Sequence, residues 1–268
     1  MRVAAIQMRS SRDVAANLAD AGRLVREAAA AGAALAVLPE NFALMPADES
    51  ERRRAAEGDD GGPVQDFVRG LARDLGIWLV AGTIALRADG TERVRSACLL
   101  LDAQGEIRAR YDKIHLFDVR LGNGEHYRES AAIEPGDRVV VADCPVGRLG
   151  LAVCYDLRFP ELFRRMLDEG AEVFAVPSAF TAMTGKAHWE VLLRARAVEN
   201  LSYLIGADQG GRHANGRETF GGSMIVDPWG TVTARLDQGI GVVAAEIDAG
   251  YLERLRSSLP SIRHRVLG

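Results

Sequence analysis

The sequence has little lysine, no strong basic charge and no long apolar run. Of its 33 basic residues only Lys113 and Lys186 are lysines, and the formal net charge is −4. No cluster of basic residues marks a surface for nucleic acid or for an anionic membrane. No apolar stretch approaches the roughly 20 residues of a membrane span, and the N-terminal segment has no signal-peptide pattern. These absences exclude nucleic-acid and membrane partners and predict a cytoplasmic protein.

Cysteine is also scarce, and its spacing excludes two common structural uses. The three cysteines, Cys98, Cys144 and Cys154, form no C-x-x-C pair. An odd number without paired spacing argues against a disulfide framework and against a zinc site. The five histidines lack the spacing of metal ligands, so we expect no metal. The sequence also has no nucleophile-elbow, P-loop or H-E-x-x-H motif.

Hydrophobic spacing predicts helices and strands that alternate along one domain, 1–268. The predicted helices are 13–31, 63–75, 160–169, 188–200 and 249–259. The predicted strands are 3–7, 34–40, 77–86, 138–143, 150–154, 173–180, 203–208 and 241–248, with hairpins over 97–113 and 222–236. The charged, glycine-tipped segment 45–62 predicts a mobile surface loop. Strands of mixed pairing with helices between them predict two sheets packed face to face, with helices outside.

Three side chains of complementary chemistry stand at the ends of predicted strands. They are Glu40, Lys113 and Cys154. Functional residues of α/β proteins concentrate at such strand ends. Taken singly, each has a structural explanation, namely a solvated glutamate, a surface lysine and a core cysteine. Taken together, and with lysine so rare elsewhere, they favour a catalytic site.

The chemistry of this trio suits the hydrolysis of an amide. A thiol with a pKa of about 8.5 is mostly protonated at neutral pH and needs a base or a nearby cation. Glu40 is the base that takes this proton, and Lys113 stabilises the oxyanion that forms on the carbonyl group. Cys154 is the nucleophile, so the intermediate is a thioester, which water activated by the same glutamate hydrolyses.

The motifs around these residues resemble those of the nitrilase superfamily of carbon–nitrogen hydrolases. The matching segments are "LPEN" at Glu40, "YDKIHLFD" at Lys113, "CYDLRFPEL" at Cys154 and "HYRES" at Glu129, the position of the superfamily's second glutamate. The resemblance covers essentially the whole chain. It implies a four-layer α-β-β-α sandwich, homo-oligomers whose sheets stack across a two-fold axis, no metal and no organic cofactor.

Within the superfamily the chain resembles the Nit branch, whose members cleave small amides. Segments such as "DQGGRHANGRETFGG" are most similar to the deaminated-glutathione amidases, which split 2-oxoglutarate from the 2-oxo form of glutathione and release cysteinylglycine. An ω-amidase acting on 2-oxoglutaramate and a hydrolase of N-carbamoyl compounds are alternatives with the same chemistry. A third alternative, a sandwich that binds a metabolite or a protein without turnover, is disfavoured by the intact trio.

A substrate of this kind carries carboxylates, and Arg158 is the candidate that binds one. It follows Cys154 by four residues, on the turn that enters the next helix. A guanidinium there can hold a carboxylate through two hydrogen bonds. The alternative is a structural pair with Asp156 or Glu161.

Three further residues are candidates for the pocket. Phe180 and Thr181 follow the strand 173–180 and are expected to form a pocket wall, with core packing as the alternative. The backbone N–H of Tyr155 is a candidate oxyanion donor beside Lys113.

Two departures from the superfamily pattern are expected near the pocket mouth, where they would affect substrate choice. Gly222 stands where histidine is usual, and Arg120 stands where an acidic residue is usual. At the C-terminus, Leu252, Leu255 and Leu259 are spaced to pack either on a partner subunit or on the chain's own sheet.

Overall fold

The computed structural model describes residues 1–122 and 124–267. Its helices are α1 (Val14–Ala30), α2 (Glu49–Arg54), α3 (Pro63–Leu75), α4 (Pro160–Asp168), α5 (Ala182–Asn200) and α6 (Ala249–Ser258). Its strands are β1 (Arg2–Gln7), β2 (Leu35–Val37), β3 (Trp78–Val80), β4 (Ile84–Arg87), β5 (Val94–Leu101), β6 (Ile107–Asp112), β7 (Asp118–Arg120), β8 (His126–Arg128), β9 (Val141–Cys144), β10 (Gly147–Leu151), β11 (Val173–Ser178), β12 (Tyr203–Asp208), β13 (Gly210–Arg212), β14 (Glu218–Phe220), β15 (Ser223–Val226), β16 (Val232–Leu236) and β17 (Gly241–Glu246).

Two large sheets form the centre of the molecule. The first has seven strands in the order β17-β1-β2-β3-β5-β4, with β6 paired to β5, and the second has six in the order β16-β15-β12-β11-β10-β9. The central strands β1, β2 and β3 run parallel, as do β10, β11 and β12, and antiparallel strands flank them. Each half therefore places the carboxyl ends of its parallel strands at one edge, where the candidate residues follow.

The side-chain alternation of β1 shows how the layers are built. Val3 and Ala5 belong to a buried cluster that includes side chains of the second sheet. Ala4 and Ile6, which point the other way, belong to a cluster that includes Leu24 of α1. The strand is apolar on both faces because one face meets a sheet and the other meets helices. Helices α1 and α3 cover the first sheet, and α4 and α5 cover the second, so the predicted α-β-β-α sandwich is confirmed.

Most predicted elements are confirmed to within a few residues, but one predicted strand is two. The segment 77–86 divides into β3 and β4 at Gly82, where φ is +42°. A side chain on Gly82 would collide with the carbonyl oxygen of Pro39, the residue before Glu40. The chain therefore bends away at a glycine, and the segment that carries Glu40 packs tightly against it.

Two other expectations are wrong in extent. The helix predicted over 188–200 begins at Ala182, because the Thr181 side chain caps its first turn. The segment 45–62, predicted as a mobile surface loop, contains α2 and, after it, the buried residue Glu57. The Glu57 carboxylate accepts the backbone N–H groups of the first turn of α3, which anchors the segment to the core.

The C-terminal helix packs on its own chain. Leu252 and Leu255 of α6 are buried within the molecule, and Leu259 is exposed. Leu252 and Leu255 therefore follow the predicted arrangement in which the helix packs on its own chain, and Leu259 does not. Within the part of the chain that the structure describes, no helix has both the length and the apolar character needed to cross a membrane.

Candidate active site

Cys154 lies on a sharp turn just after β10. The strand ends at Leu151, and a short 3₁₀ turn, Cys154–Arg158, begins at the cysteine. The Cys154 backbone has a φ of +50°, in the left-handed region that few residues other than glycine adopt. Such a conformation costs of the order of 1–3 kcal/mol and persists only where the surroundings impose it. The turn places the thiol at the floor of a cleft with 7% of the residue exposed.

Asp156 imposes this turn. Its side chain is fully buried, and one carboxylate oxygen accepts the Val153 N–H at 2.8 Å and the Tyr111 hydroxyl at 2.7 Å. The other oxygen accepts the His115 N–H at 3.0 Å and lies 2.7 Å from His115 Nδ1. Since Tyr111 and His115 flank Lys113, this one carboxylate joins the turn of Cys154 to the segment that carries the lysine.

Lys113 lies between two carboxylates. Its Nζ donates to Glu40 Oε1 at 2.8 Å and to the two oxygens of Glu129 at 3.0 and 2.9 Å. The Glu129 carboxylate is itself held by the Phe117 N–H at 2.7 Å. The Cys154 thiol lies beside Glu40, close enough for each group to affect the pKa of the other. The structure thus brings together Glu40, Lys113, Cys154 and Glu129, which lie far apart in the sequence.

The electrostatics define the protonation state at rest. Burial acts to raise the pKa of Glu40, but the charge of Lys113 and its hydrogen bond outweigh this and lower it. Burial acts to lower the pKa of Lys113, but the charges of Glu129 and Glu40 outweigh burial, so the pKa is raised above its usual value. Burial and then the charge of Glu40 raise the pKa of Cys154 well above its usual range, although Lys113 opposes them. At neutral pH the site therefore holds a carboxylate, an ammonium and a neutral thiol.

This protonation state predicts that the Cys154 thiol loses its proton only at high pH. We expect the thiolate absorbance near 240 nm, taken as wild type minus Cys154→Ala, to appear only above pH 9, because burial disfavours the thiolate. The other thiols are present in both proteins and cancel, and burial raises the pKa of Cys144 to about 11. A difference signal that titrates near pH 6–7 would contradict the prediction.

The predicted substrate contacts all line the same cleft. Arg158, Tyr155, Phe180 and Thr181 line this cleft together with Cys154. Tyr155 is the second residue of the 3₁₀ turn, where a backbone N–H has no partner within the turn. Phe180 and Thr181 line the cleft and are also buried, so they contact both the cavity and the core.

Within the described part of the chain, Arg158 does not form the structural ion pair that was the alternative to a role in substrate binding. Among the described residues its guanidinium pairs with neither Asp156 nor Glu161, and it lies 3.2 Å from His188 Nδ1 instead. It also lies 5.2 Å from the centre of the Phe180 ring. Among the described residues, no carboxylate therefore pairs with Arg158, and its positive charge is available to a ligand in the cleft.

Neither of the two departures from the superfamily pattern lines the cleft itself. Gly222 is buried beside Trp189, whose indole N–H donates to the Gly222 carbonyl at 2.8 Å. Its φ of +68° and the nearby Phe220 ring leave little room for a side chain. Arg120 is exposed on β7 and does not line the cleft. No group of three His, Cys, Asp or Glu side chains within 1–122 and 124–267 is arranged to hold a metal ion.

Known proteins similar to this chain identify its family. The carbon-nitrogen hydrolase family model matches residues 2–257. A Yersinia enterocolitica protein named deaminated glutathione amidase is 41% identical, over 98% of this chain and 92% of that protein. The human protein of that name is 43% identical, over 98% of this chain and 81% of its own. The crystal structure of the C. elegans NitFhit protein has a TM-score of 0.91 and 37% identity, covering 99% of this chain and 65% of that chain.

This chain belongs to the carbon–nitrogen hydrolase family. The resemblance inferred from the motifs around Glu40, Lys113 and Cys154 is thereby confirmed. So is the sandwich fold that it implied.

Two residues that sequence reasoning missed complete the site of this carbon–nitrogen hydrolase. Asp208 ends β12, is fully buried, and accepts the Phe180 N–H at 2.9 Å and the Gly221 N–H at 3.1 Å. Arg217 lines the cleft and donates to the Ala179 carbonyl. The strand-end criterion that selected Glu40 applies equally to Asp208, whereas Arg217 is one arginine among many and had no such signal.

Proposed function

We propose that this carbon–nitrogen hydrolase is an amidase that cleaves deaminated glutathione into 2-oxoglutarate and cysteinylglycine through a thioester on Cys154. The observation that carries the chemistry is the contact of Lys113 with both Glu40 and Glu129, next to the Cys154 thiol, which interacts with Glu40. A buried base, a fixed cation and a nucleophile are the three groups that amide hydrolysis requires. The names of the similar proteins support the choice of substrate.

Acylation begins from the neutral thiol. Cys154 Sγ attacks the amide carbonyl carbon and forms the C–S bond while Glu40 takes the thiol proton. The carbonyl oxygen becomes an oxyanion, which the Lys113 ammonium and the Tyr155 N–H stabilise. Glu40 then gives the proton to the departing nitrogen, the C–N bond breaks, and the amine leaves. This order follows from the pKa directions, since no thiolate has to exist before the substrate binds.

Deacylation uses the same groups in the reverse sense. Glu40 takes a proton from a water molecule as its oxygen attacks the thioester carbonyl. The C–S bond breaks, the carboxylic acid leaves, and the Cys154 sulfur recovers its proton. Glu129 touches neither atom of the reacting bond in this scheme. It accepts hydrogen bonds from the ammonium of Lys113, as Glu40 does, which keeps the cation in place for the oxyanion.

The charge of the cleft supports a substrate with more than one carboxylate. The chain has a net charge of −4, yet five basic and three acidic side chains line the cleft. Lys113 and Arg52 pair with acidic residues of the lining, and Arg158 and Arg217 have no carboxylate partner among the described residues. Deaminated glutathione carries two carboxylates, whereas 2-oxoglutaramate, the substrate of the ω-amidase alternative, carries one.

The test is a paired assay of the purified protein with deaminated glutathione and 2-oxoglutaramate, with Cys154→Ala as the control. We expect wild type to prefer deaminated glutathione, and Cys154→Ala to retain its fold and lose turnover of both. Loss of the nucleophile of a covalent mechanism lowers kcat by roughly 10⁴-fold or more. Turnover by Cys154→Ala would remove the nucleophile assignment, and preference for 2-oxoglutaramate would assign the ω-amidase activity instead.

Three further expectations belong to the same proposal. We propose that residues 1–268 form one catalytic domain that acts in the cytoplasm. The free cysteines suit a reducing compartment. We also propose a homo-oligomer, as the superfamily resemblance implies, which light scattering at micromolar concentration tests.

A further inference from the structure

A second groove adjoins the catalytic cleft. This outer groove has a cavity volume of about 410 Å³ and lies between the 45–52 segment, β8 and the 215–217 turn. Glu49, Arg52, Tyr127 and Arg217 line both the cleft and the outer groove. A molecule whose amide lies over Cys154 can therefore extend past these four side chains without leaving the protein surface.

Arg217 is fixed at the junction of the two cavities. It donates to the Ala179 carbonyl, and its guanidinium carbon lies 5.3 Å from the centre of the Tyr127 ring. Its Nε is buried without a hydrogen-bond partner among the described residues. It also has no ion-pair partner there. Because no carboxylate of the described residues neutralises Arg217, and because it lines both cavities, its guanidinium can bind an anion that enters there.

The acidic residues of the outer groove already have partners. Glu49 pairs with Arg52 at 3.0 Å, and Asp48 caps α2 by accepting the Glu51 N–H at 2.9 Å. Glu125 accepts the Tyr127 hydroxyl at 3.0 Å. The charge left for a ligand at the junction is therefore the positive charge of Arg217, which favours an anion.

We propose that the outer groove binds the leaving group of the substrate, a dipeptide, and that Arg217 binds its terminal carboxylate. The inference rests on the proposed function. Arg158 belongs to another wall, where it contacts Tyr155, Phe180 and His188. The two carboxylates of the substrate thus have separate arginines, one on the acyl side and one on the amine side. A dipeptide spans about 7 Å when extended, which suits a second cavity that adjoins the first.

Arg217→Gln tests the assignment through a ratio of two substrates. Deaminated glutathione and 2-oxoglutaramate form the same thioester, but the second releases only ammonia. Any effect of the substitution on Cys154 or on Ala179 enters both reactions and cancels in the ratio of their kcat/KM values. We expect this ratio to fall about tenfold to a hundredfold, the value of a charge-assisted hydrogen bond. Equal losses with both substrates would make Arg217 a structural brace and overturn the inference.

His126→Glu tests the outer groove and leaves Arg217 and the other residues shared by the two cavities unchanged. His126 is exposed and lines the outer groove but not the cleft. A carboxylate there repels an anionic leaving group, so the same ratio should fall about two- to fivefold, and less at high salt. His264→Glu, the same substitution at an exposed site outside both cavities, is the matched control and should leave the ratio unchanged.

The two proposals fail in different ways. A wild-type protein that does not hydrolyse deaminated glutathione contradicts the proposed function and the inference with it. A wild-type protein that does so, with a ratio unchanged by both Arg217→Gln and His126→Glu, contradicts the inference alone.

Discussion

Lys113→Met is expected to abolish turnover and to lower the free energy of unfolding by about 3–5 kcal/mol. The lysine is 2% exposed, and its ammonium is the hydrogen-bonded partner of both Glu40 and Glu129. Methionine fills a similar volume but removes the charge, so the carboxylates are left buried beside each other without a cation. Turnover is lost because the oxyanion loses its charged donor.

The pH dependence of the Lys113→Met defect has a definite sign. In the wild type the pKa of Glu40 is lowered, so its contribution to stability is present above the unfolded value of about 4.3 and is lost as the pH falls. Without the lysine, burial is the dominant effect and raises the Glu40 pKa in the folded state. The folded variant then binds more protons than the unfolded chain, and its stability falls as the pH rises. The difference between the two proteins should therefore narrow from pH 7 to pH 5.

Denaturant unfolding at both pH values checks this, with Lys186→Met as the matched control. Lys186 is the only other lysine and is exposed on α5, so its replacement should change stability by less than about 0.5 kcal/mol. Cys154→Ala separates the two effects, since it should lose activity and keep its stability to within about 1 kcal/mol. A Lys113→Met protein with wild-type stability at pH 7 would show that the carboxylates do not depend on this ammonium.

The sequence predicts the catalytic trio because strand ends are readable from hydrophobic patterns. The apolar runs before Glu40 and Cys154 end abruptly in polar residues, and the scarcity of lysine marks Lys113. Parallel strands bring such ends to one edge of a sheet, so their proximity follows from the fold. The distances do not follow, because they depend on close contacts such as that of Gly82 with Pro39, between segments far apart in the sequence.

Other parts of the site are set by tertiary contacts that leave little trace in the sequence. The segment 45–62 is charged and glycine-rich, which predicted a loop, yet it places Arg52 at both cavities. Arg52 also donates to Asn41 at 3.1 Å, next to Glu40. Arg217 lies on a short turn after β13, and only the packing of that turn against Tyr127 and Ala179 brings it to the cleft. Secondary-structure propensity depends on residues that are close in the sequence, so it does not reveal contacts between distant segments such as these.

Asp156→Ala is expected to lower kcat about a hundredfold and the free energy of unfolding by about 3–5 kcal/mol. The substitution leaves the Val153 N–H, the His115 N–H and the Tyr111 hydroxyl without their acceptor in a buried place, at about 1–3 kcal/mol for each unsatisfied donor. It also frees the left-handed backbone of Cys154 to relax. A shift of about 1 Å in the nucleophile is enough for a hundredfold loss of rate.

The series Asp156→Ala, Asp156→Asn and Tyr111→Phe separates positioning from stability. Asn keeps the shape and one acceptor oxygen, so it should restore most of the stability but only part of kcat. Tyr111→Phe removes a single donor and should cost about 1 kcal/mol with near-normal kcat, because both backbone bonds that hold the turn stay in place. Steady-state kinetics below the unfolding transition and thermal denaturation supply the two readouts. A folded Asp156→Ala protein with wild-type kcat would show that the turn holds Cys154 without this carboxylate, and that the link from Asp156 to the Lys113 segment serves the fold alone.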